Sequence, residues 1–253
     1  ERGGHKIEKR SMLQWNMRIS AYADRLLDGL EKIDWSSAMK ETQRNWIGKS
    51  IGVSMKFNVI DHDDSIEVFT TRPDTIFGVS FMTLAPEHDL VLKISTSEKR
   101  DEVEEYIKYA SNRTEIDRIS DVKKITGVFT GAYAQHPISK NKIPIWIGDY
   151  VLSSYGTGAV MSVPSGDQRD YDFAKFFDID IPNIFKDKNI SEQAFVDKQD
   201  FILENSFFLD GLTYNEATDA IIAMLEKKNI GTKEINYRLR DAVFSRQRYW
   251  GEP

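Results

Sequence analysis

Two alternating apolar stretches joined by a polar turn constrain this chain most. Val53, Met55, Phe57 and Val59 alternate with polar or small residues, the pattern of a half-buried strand. Asp61-His62-Asp63-Asp64 supplies turn chemistry, and Ile66-Glu67-Val68-Phe69 reads as the returning strand. That strand delivers the chain straight into Thr70-Thr71-Arg72-Pro73-Asp74-Thr75-Ile76-Phe77-Gly78. Pro73 lacks an amide hydrogen and has a fixed φ, so it suits the first position of a short helix. It also pushes Arg72 out of the α region. The expected path is strand, sharp turn, one helical turn, and then Gly78 releasing the chain into a strand over 79–84. Small polar side chains at such a junction can face a ligand, and a helix N-terminus favours an anion. A well-capped turn without a ligand explains the same residues equally well.

Around this hairpin, helical spacing of Trp15, Ile19, Tyr22, Ala23, Leu26, Leu27 and Leu30 predicts a helix from Gln14, and a second covers Ser37 to Ile47. Pro86-Glu87 should start a short helix running through Ile94. Ser95-Thr96-Ser97-Glu98 has capping-box spacing ahead of a helix bearing Val103, Tyr106, Ile107 and Ala110. The segment 112–124 fits no pattern. Strands are expected at 128–133 and 143–146, and a surface excursion at 186–205. Thr213 with Glu216 should cap a helix carrying Ala217, Ala220, Ile221 and Leu225. Strands and short helices mix without a βαβ rhythm, which predicts an α+β fold with a mainly antiparallel sheet or β-barrel decorated by short helices.

The 253 residues suffice for one large domain or one domain with flanking pieces, and 40% hydrophobic content permits a substantial core. With no cysteine and four scattered histidines, neither a disulfide nor a metal site is expected. No apolar run reaches the roughly 20 residues of a membrane span, so no membrane partner is expected and the chain reads as cytoplasmic. The polar, basic opening at 1–10 reads as a cut inside a longer protein. A net charge of -6 argues against indiscriminate nucleic-acid binding but leaves room for local basic patches. Arg44, Lys49, Arg238, Arg240, Arg246 and Arg248 would form one if the chain's ends meet.

Two further constellations carry chemistry. Gly156-Thr157-Gly158 opens like a dinucleotide fingerprint, yet Met161 stands where the third glycine belongs. The glycines still let backbone approach a ligand, or simply link two strands. Asp167 and Asp170 begin an apparent helix bearing Phe173, Ala174 and Phe177. They fit first as N-cap and first-turn residue, each favoured by the helix dipole, and second as carboxylates that fix a substrate cation.

The string TTRPDTIFG resembles the threonine-rich peptide of leucyl-tRNA synthetase editing domains; the isoleucyl and valyl relatives usually carry tryptophan at the position of Asp74. The segments 43–50, 149–170 and 236–251 extend the resemblance over nearly the whole chain. It implies a flanking helical segment at 1–48, an editing domain at 49–233, built as a small decorated β-barrel, and a return segment towards the catalytic core at 234–253. The implied reaction is hydrolysis of tRNA-Leu mischarged with norvaline, isoleucine or methionine, by a monomer without cofactor, working beside the rest of its synthetase. A tRNA-docking module without catalysis and a free-standing small-ester hydrolase are the alternatives. By resemblance Thr70 and Thr71 hold the ester, ribose or attacking water, and Thr75 is the wall that excludes leucine. Arg72 and Asp74 join the substrate-binding set, Arg72 towards a phosphate or ribose. Tyr155 and Gly156 meet the terminal adenosine, while Leu152, Met161 and Val163 give an apolar wall. Asp170, assisted by Asp167, binds the α-ammonium. Many members have a histidine where this chain has Gly166, so no imidazole is expected there. A pH–rate step near 6.5 is accordingly expected to be absent.

Overall fold

The computed structural model of the protein describes residues 13, 15–120, 124–153 and 156–243, without the side chains of Ile116, Ile119 and Ser120. In chain order the strands are β1 (Asn16–Met17), β2 (Lys49–Val59), β3 (Ser65–Thr70), β4 (Phe81–Leu84), β5 (Val128–Gln135), β6 (Lys142–Ile147), β7 (Ala159–Ser162), β8 (Gly231–Tyr237) and β9 (Ala242–Val243). The helices are α1 (Ala23–Leu30), α2 (Ser37–Ile47), α3 (Leu90–Ile94), α4 (Arg100–Ser111), α5 (Glu115–Ser120), α6 (Gln168–Phe176) and α7 (Tyr214–Lys227). The chain divides into two compact units, residues 1–51 with 235–253, and residues 52–234. Among the described residues no helix is long and apolar enough to cross a membrane.

In the first unit, β1 pairs antiparallel with β9, Asn16 opposite Val243. That pairing overrides the helical spacing expected from Gln14, so the helix starts only with a 3-10 turn at Ile19–Tyr22. α2 matches its signals. Ser36 accepts from the Met39 amide, and Gly48, at φ +60°, ends the helix with its amide on the Arg44 carbonyl at 2.8 Å. Of the expected basic patch, Arg44 pairs with Glu31 and Lys49 with Asp24; Arg246 and Arg248 lie outside the described residues.

The second unit is built on a mixed seven-stranded sheet, in the order β3-β2-β5-β6-β4-β7, with β8 beside β2. β2 and β3 form the expected hairpin, with Met55 opposite Val68 and Phe57 opposite Ile66. All four side chains are buried. The sheet departs from the antiparallel expectation at β4 and β6, which run parallel with Met82 opposite Ile145. β3 and β7 stand at opposite ends of the strand order yet lie against each other. No ladder joins them among the described residues, so hydrogen bonding does not close the sheet there into a barrel.

Local differences have physical causes. Pro86-Glu87 forms a turn, and α3 begins at Leu90. The capping box expected at 95–98 does not form, because the Ser95 hydroxyl donates back to the Val91 carbonyl at 2.6 Å. α5 occupies part of the segment that fitted no pattern. The 186–205 stretch is more than a surface excursion, since Phe185 bridges to Leu203 and both are buried with Phe201. α7 carries its capping box and packs Ala217, Ile221 and Leu225 into the core.

Candidate active site

The threonine-rich turn is held from inside. The Arg72 amide donates to Thr70 Oγ1 at 3.0 Å, and Pro73 opens a 3-10 turn over Pro73–Gly78. Arg72 grips Asp74 with two nitrogens, Nε to Oδ1 at 3.0 Å and Nη2 to Oδ2 at 2.9 Å. Asp74 is fully buried, so its charge needs this fork. The guanidinium also lies over the rings of Phe201 and Tyr214, at 5.7 and 5.4 Å. The side chain singled out for a phosphate or ribose is therefore engaged within the protein. Thr75 is buried and donates its hydroxyl to the Arg72 carbonyl at 2.9 Å. Thr70 is half-buried and Thr71 exposed, both where β3 ends. Below the turn, buried His136 has Nε2 3.0 Å from the Ile76 carbonyl. His136 Nδ1 accepts from the Ile138 and Ser139 amides, so Nε2 carries the proton and donates.

The second half of the site follows β7. Gly78, ending the turn, comes so near Val163 that a Cβ built there would lie 3.0 Å from its Cγ1. This close approach joins the threonine turn to the segment leading into α6. Met161 and Val163 are buried, Leu152 is half-buried, and Gly156 is exposed at φ +66°. Tyr155 lies outside the described residues. Asp167 caps α6, accepting from the Arg169 and Asp170 amides at 2.9 and 3.1 Å.

Asp170 is buried one turn in. Its Oδ2 accepts from the Val163 amide at 2.8 Å and its Oδ1 from the Tyr150 hydroxyl at 3.3 Å. Tyr150 meets Thr83 at 3.0 Å, and Thr83 meets Ser162 at 3.1 Å. With the Tyr150 proton on Asp170, the Thr83 proton points to Tyr150. Burial, reinforced by the Asp167 charge, raises the Asp170 carboxyl to about 7 against the pull of its hydrogen bonds. The pH step expected to be absent without a histidine is thus expected from a carboxylate.

Tyr150, Thr83, Ser162 and His136 are not singled out by the sequence as parts of the site. The one available signal is a lone threonine in the apolar strand Phe-Met-Thr-Leu of β4. Gly166 is half-buried with no positive φ, and a Cβ there would meet Phe185 at an ordinary 3.4 Å. Sterics therefore do not exclude a side chain at this position. A carboxylate held by two donors inside a hydroxyl cluster, beside a turn rich in threonine, can take up a cation and orient polar groups around it.

The family model described as leucyl-tRNA synthetase, editing domain, matches residues 44–226. Among curated proteins, the leucine–tRNA ligase of Christiangramia forsetii is 58% identical over all of this chain, which covers 26% of that protein. The leucine–tRNA ligase of Flavobacterium johnsoniae is 60% identical, with 100% of this chain and 27% of that protein covered. The chain thus spans about a quarter of the length of these relatives. Among solved structures, the Agrobacterium radiobacter K84 agnB2 LeuRS in ternary complex with tRNA and LeuAMS matches 98% of this chain and 28% of its own, with TM-score 0.75 and 35% identity.

Proposed function

This chain belongs to the leucyl-tRNA synthetase editing-domain family, and from that premise we propose that it hydrolyses the ester of tRNA-Leu carrying a wrong amino acid. The observation that carries the reading is the buried Asp170, fixed by the Val163 amide and the Tyr150 hydroxyl beside the threonine turn. Its carboxylate binds the α-ammonium of the aminoacyl ester, and the incoming cation relieves the cost of ionising it. Asp167 adds negative charge at the helix cap. Thr70 and Thr71 orient the ester and water. Water attacks the carbonyl carbon, the bond to the ribose oxygen breaks, and that oxygen takes the proton. Met161, Val163 and Leu152 line the apolar side.

A second site of this kind answers a physical limit. An apolar pocket distinguishes one methylene by about 1–3 kcal/mol, a limit documented on aminoacyl-tRNA synthetases themselves. Editing therefore has to admit norvaline, isoleucine or methionine and exclude leucine. Thr75 is the excluding wall. Its branched side chain has few rotamers, and its bond to the Arg72 carbonyl holds one of them. The tRNA and the remainder of a synthetase are the partners, in line with the tRNA in the Agrobacterium ternary complex.

The test is deacylation of norvalyl- and leucyl-tRNA alongside thermal unfolding. Thr75→Ala should begin to hydrolyse leucyl-tRNA, and Asp170→Ala should lose hydrolysis of norvalyl-tRNA while remaining folded. Unchanged exclusion of leucine by Thr75→Ala would move the wall elsewhere. Near-normal hydrolysis by Asp170→Ala, with a large loss of stability, would make Asp170 a structural residue only. Binding of tRNA without any hydrolysis by the unaltered chain would reduce it to a docking module.

A further inference from the structure

Both working parts of the threonine turn hang on the main chain of Arg72. Its amide donates to Thr70 Oγ1 at 3.0 Å. Its carbonyl accepts from the Thr75 amide at 3.2 Å and from the Thr75 hydroxyl at 2.9 Å. Thr70, given the ester and water, and Thr75, given the excluding wall, are therefore placed by one residue. The ladder between β2 and β3 stops at Thr70, opposite Val53, so no strand partner holds Arg72 in turn. Its side chain has to do so.

The fork from Arg72 to Asp74 joins residues two positions apart, so it ties the turn to itself and not to the body of the unit. The tie to the body is aromatic. The guanidinium carbon lies 5.7 Å from the ring centre of Phe201 and 5.4 Å from that of Tyr214. The Arg72 side chain is only 15% exposed, and a cation over aromatic faces is attracted more strongly when desolvated. Each ring is itself held by its surroundings. Phe201 is buried, with its ring 5.0 Å from Phe185 and 6.0 Å from Phe195. Tyr214 is the first residue of α7, just after the Thr213–Glu216 capping box, and α7 packs against the turn. We propose that Phe201 and Tyr214 are positioning residues for the exclusion of leucine, an inference that rests on the editing reading with Thr75 as its wall. They anchor the Arg72 guanidinium, and the Arg72 main chain then holds Thr75 where it stops the branched substrate. A wall of this kind discriminates only while the side chains behind it are locked.

Tyr214→Leu removes one ring, Phe201→Leu the other, and Tyr214→Phe keeps the ring without its hydroxyl. Three measurements apply to each: kcat/KM for leucyl- and norvalyl-tRNA, Tm, and the three-bond NMR couplings that report the Thr75 χ1 rotamer. Tyr214→Leu should raise the ratio of leucyl to norvalyl kcat/KM about tenfold, the scale on which a pocket tells one methylene from none. It should also average the Thr75 rotamer. Phe201→Leu should do the same, and Tyr214→Phe should leave ratio and couplings as they were. Added to Thr75→Ala, Tyr214→Leu should not move the ratio further, because the wall it acts through is gone. A purely structural role would lower Tm and both rates together with the ratio unmoved, and that result overturns the proposal. So does an equal effect of Tyr214→Phe, or a Tyr214→Leu effect that persists in full beside Thr75→Ala. If the unaltered chain hydrolyses neither ester, the editing reading fails, while the Thr75 couplings still decide the aromatic anchor: a single unchanged rotamer in Tyr214→Leu and Phe201→Leu overturns it.

Discussion

At pH 8 the Asp170 carboxylate is ionised within its cluster of hydroxyls, and at pH 6 it holds a proton, because burial lifts it to about 7. The folded value lies above the usual 3.8, so the native chain binds the extra proton between about pH 4 and 7. The contribution of Asp170 to stability therefore declines as pH rises through that window and is level above it. Asp170→Asn should gain thermal stability relative to the original chain as pH is raised from 5 to 8. A constant difference in Tm would remove the raised carboxyl from the account. The carboxyl carbon of Asp170 should titrate near pH 7 by NMR, and kcat/KM for deacylation should rise with pH through the same point. Buried His136 is a base whose pKa is pushed down, so its contribution is present above its usual 6.5 and lost as pH falls. Much of this is not legible in the residues. The spacing of Asp167 and Asp170 announces a cap and a first-turn acid, but not the burial that raises the acid, nor its partners Val163 and Tyr150, which lie 7 and 20 positions away.

Elements are legible where their signals are local. α2 and α7 carry their start signals within three residues, Ser36 with Met39 and Thr213 with Glu216, and the β2–β3 hairpin has its alternation and its turn side by side. The helix expected from Gln14 fails because β9, more than 200 positions on, claims Asn16 and Met17 as strand partners. α6 offers the sharpest test at this scale, since Asp167 is both its cap and a charge that raises Asp170. Asp167→Ser keeps an oxygen for the two amides and removes the charge. It should leave Tm nearly unchanged and move the Asp170 titration to lower pH. Asp167→Ala removes both, and should cost about 1 kcal/mol in denaturant unfolding as well. A serine variant that destabilises as much as the alanine variant would show that the charge, rather than the cap, holds the helix.

Across the whole molecule, the α+β class follows from the mixture of patterns, whereas strand order does not. The parallel pairing of β4 with β6 joins residues about 63 positions apart by register, and nothing local to either strand announces it. Residues 52–234 contain the main apolar cluster, the threonine turn and the Asp170 cluster. Expressed alone, that segment should give a dispersed NMR spectrum and a single cooperative unfolding transition. A compact product that binds ANS without fixed side-chain signals would show that its packing needs the remainder of the chain. The route of the chain in and out of this unit has a further consequence. It enters along β2 and leaves along β8, and these two strands are partners. Neighbouring strands lie about 4.8 Å apart, so a host chain need open only a gap of that width to receive the unit. Such a unit is a cassette whose two ends are tied by one pair of strands.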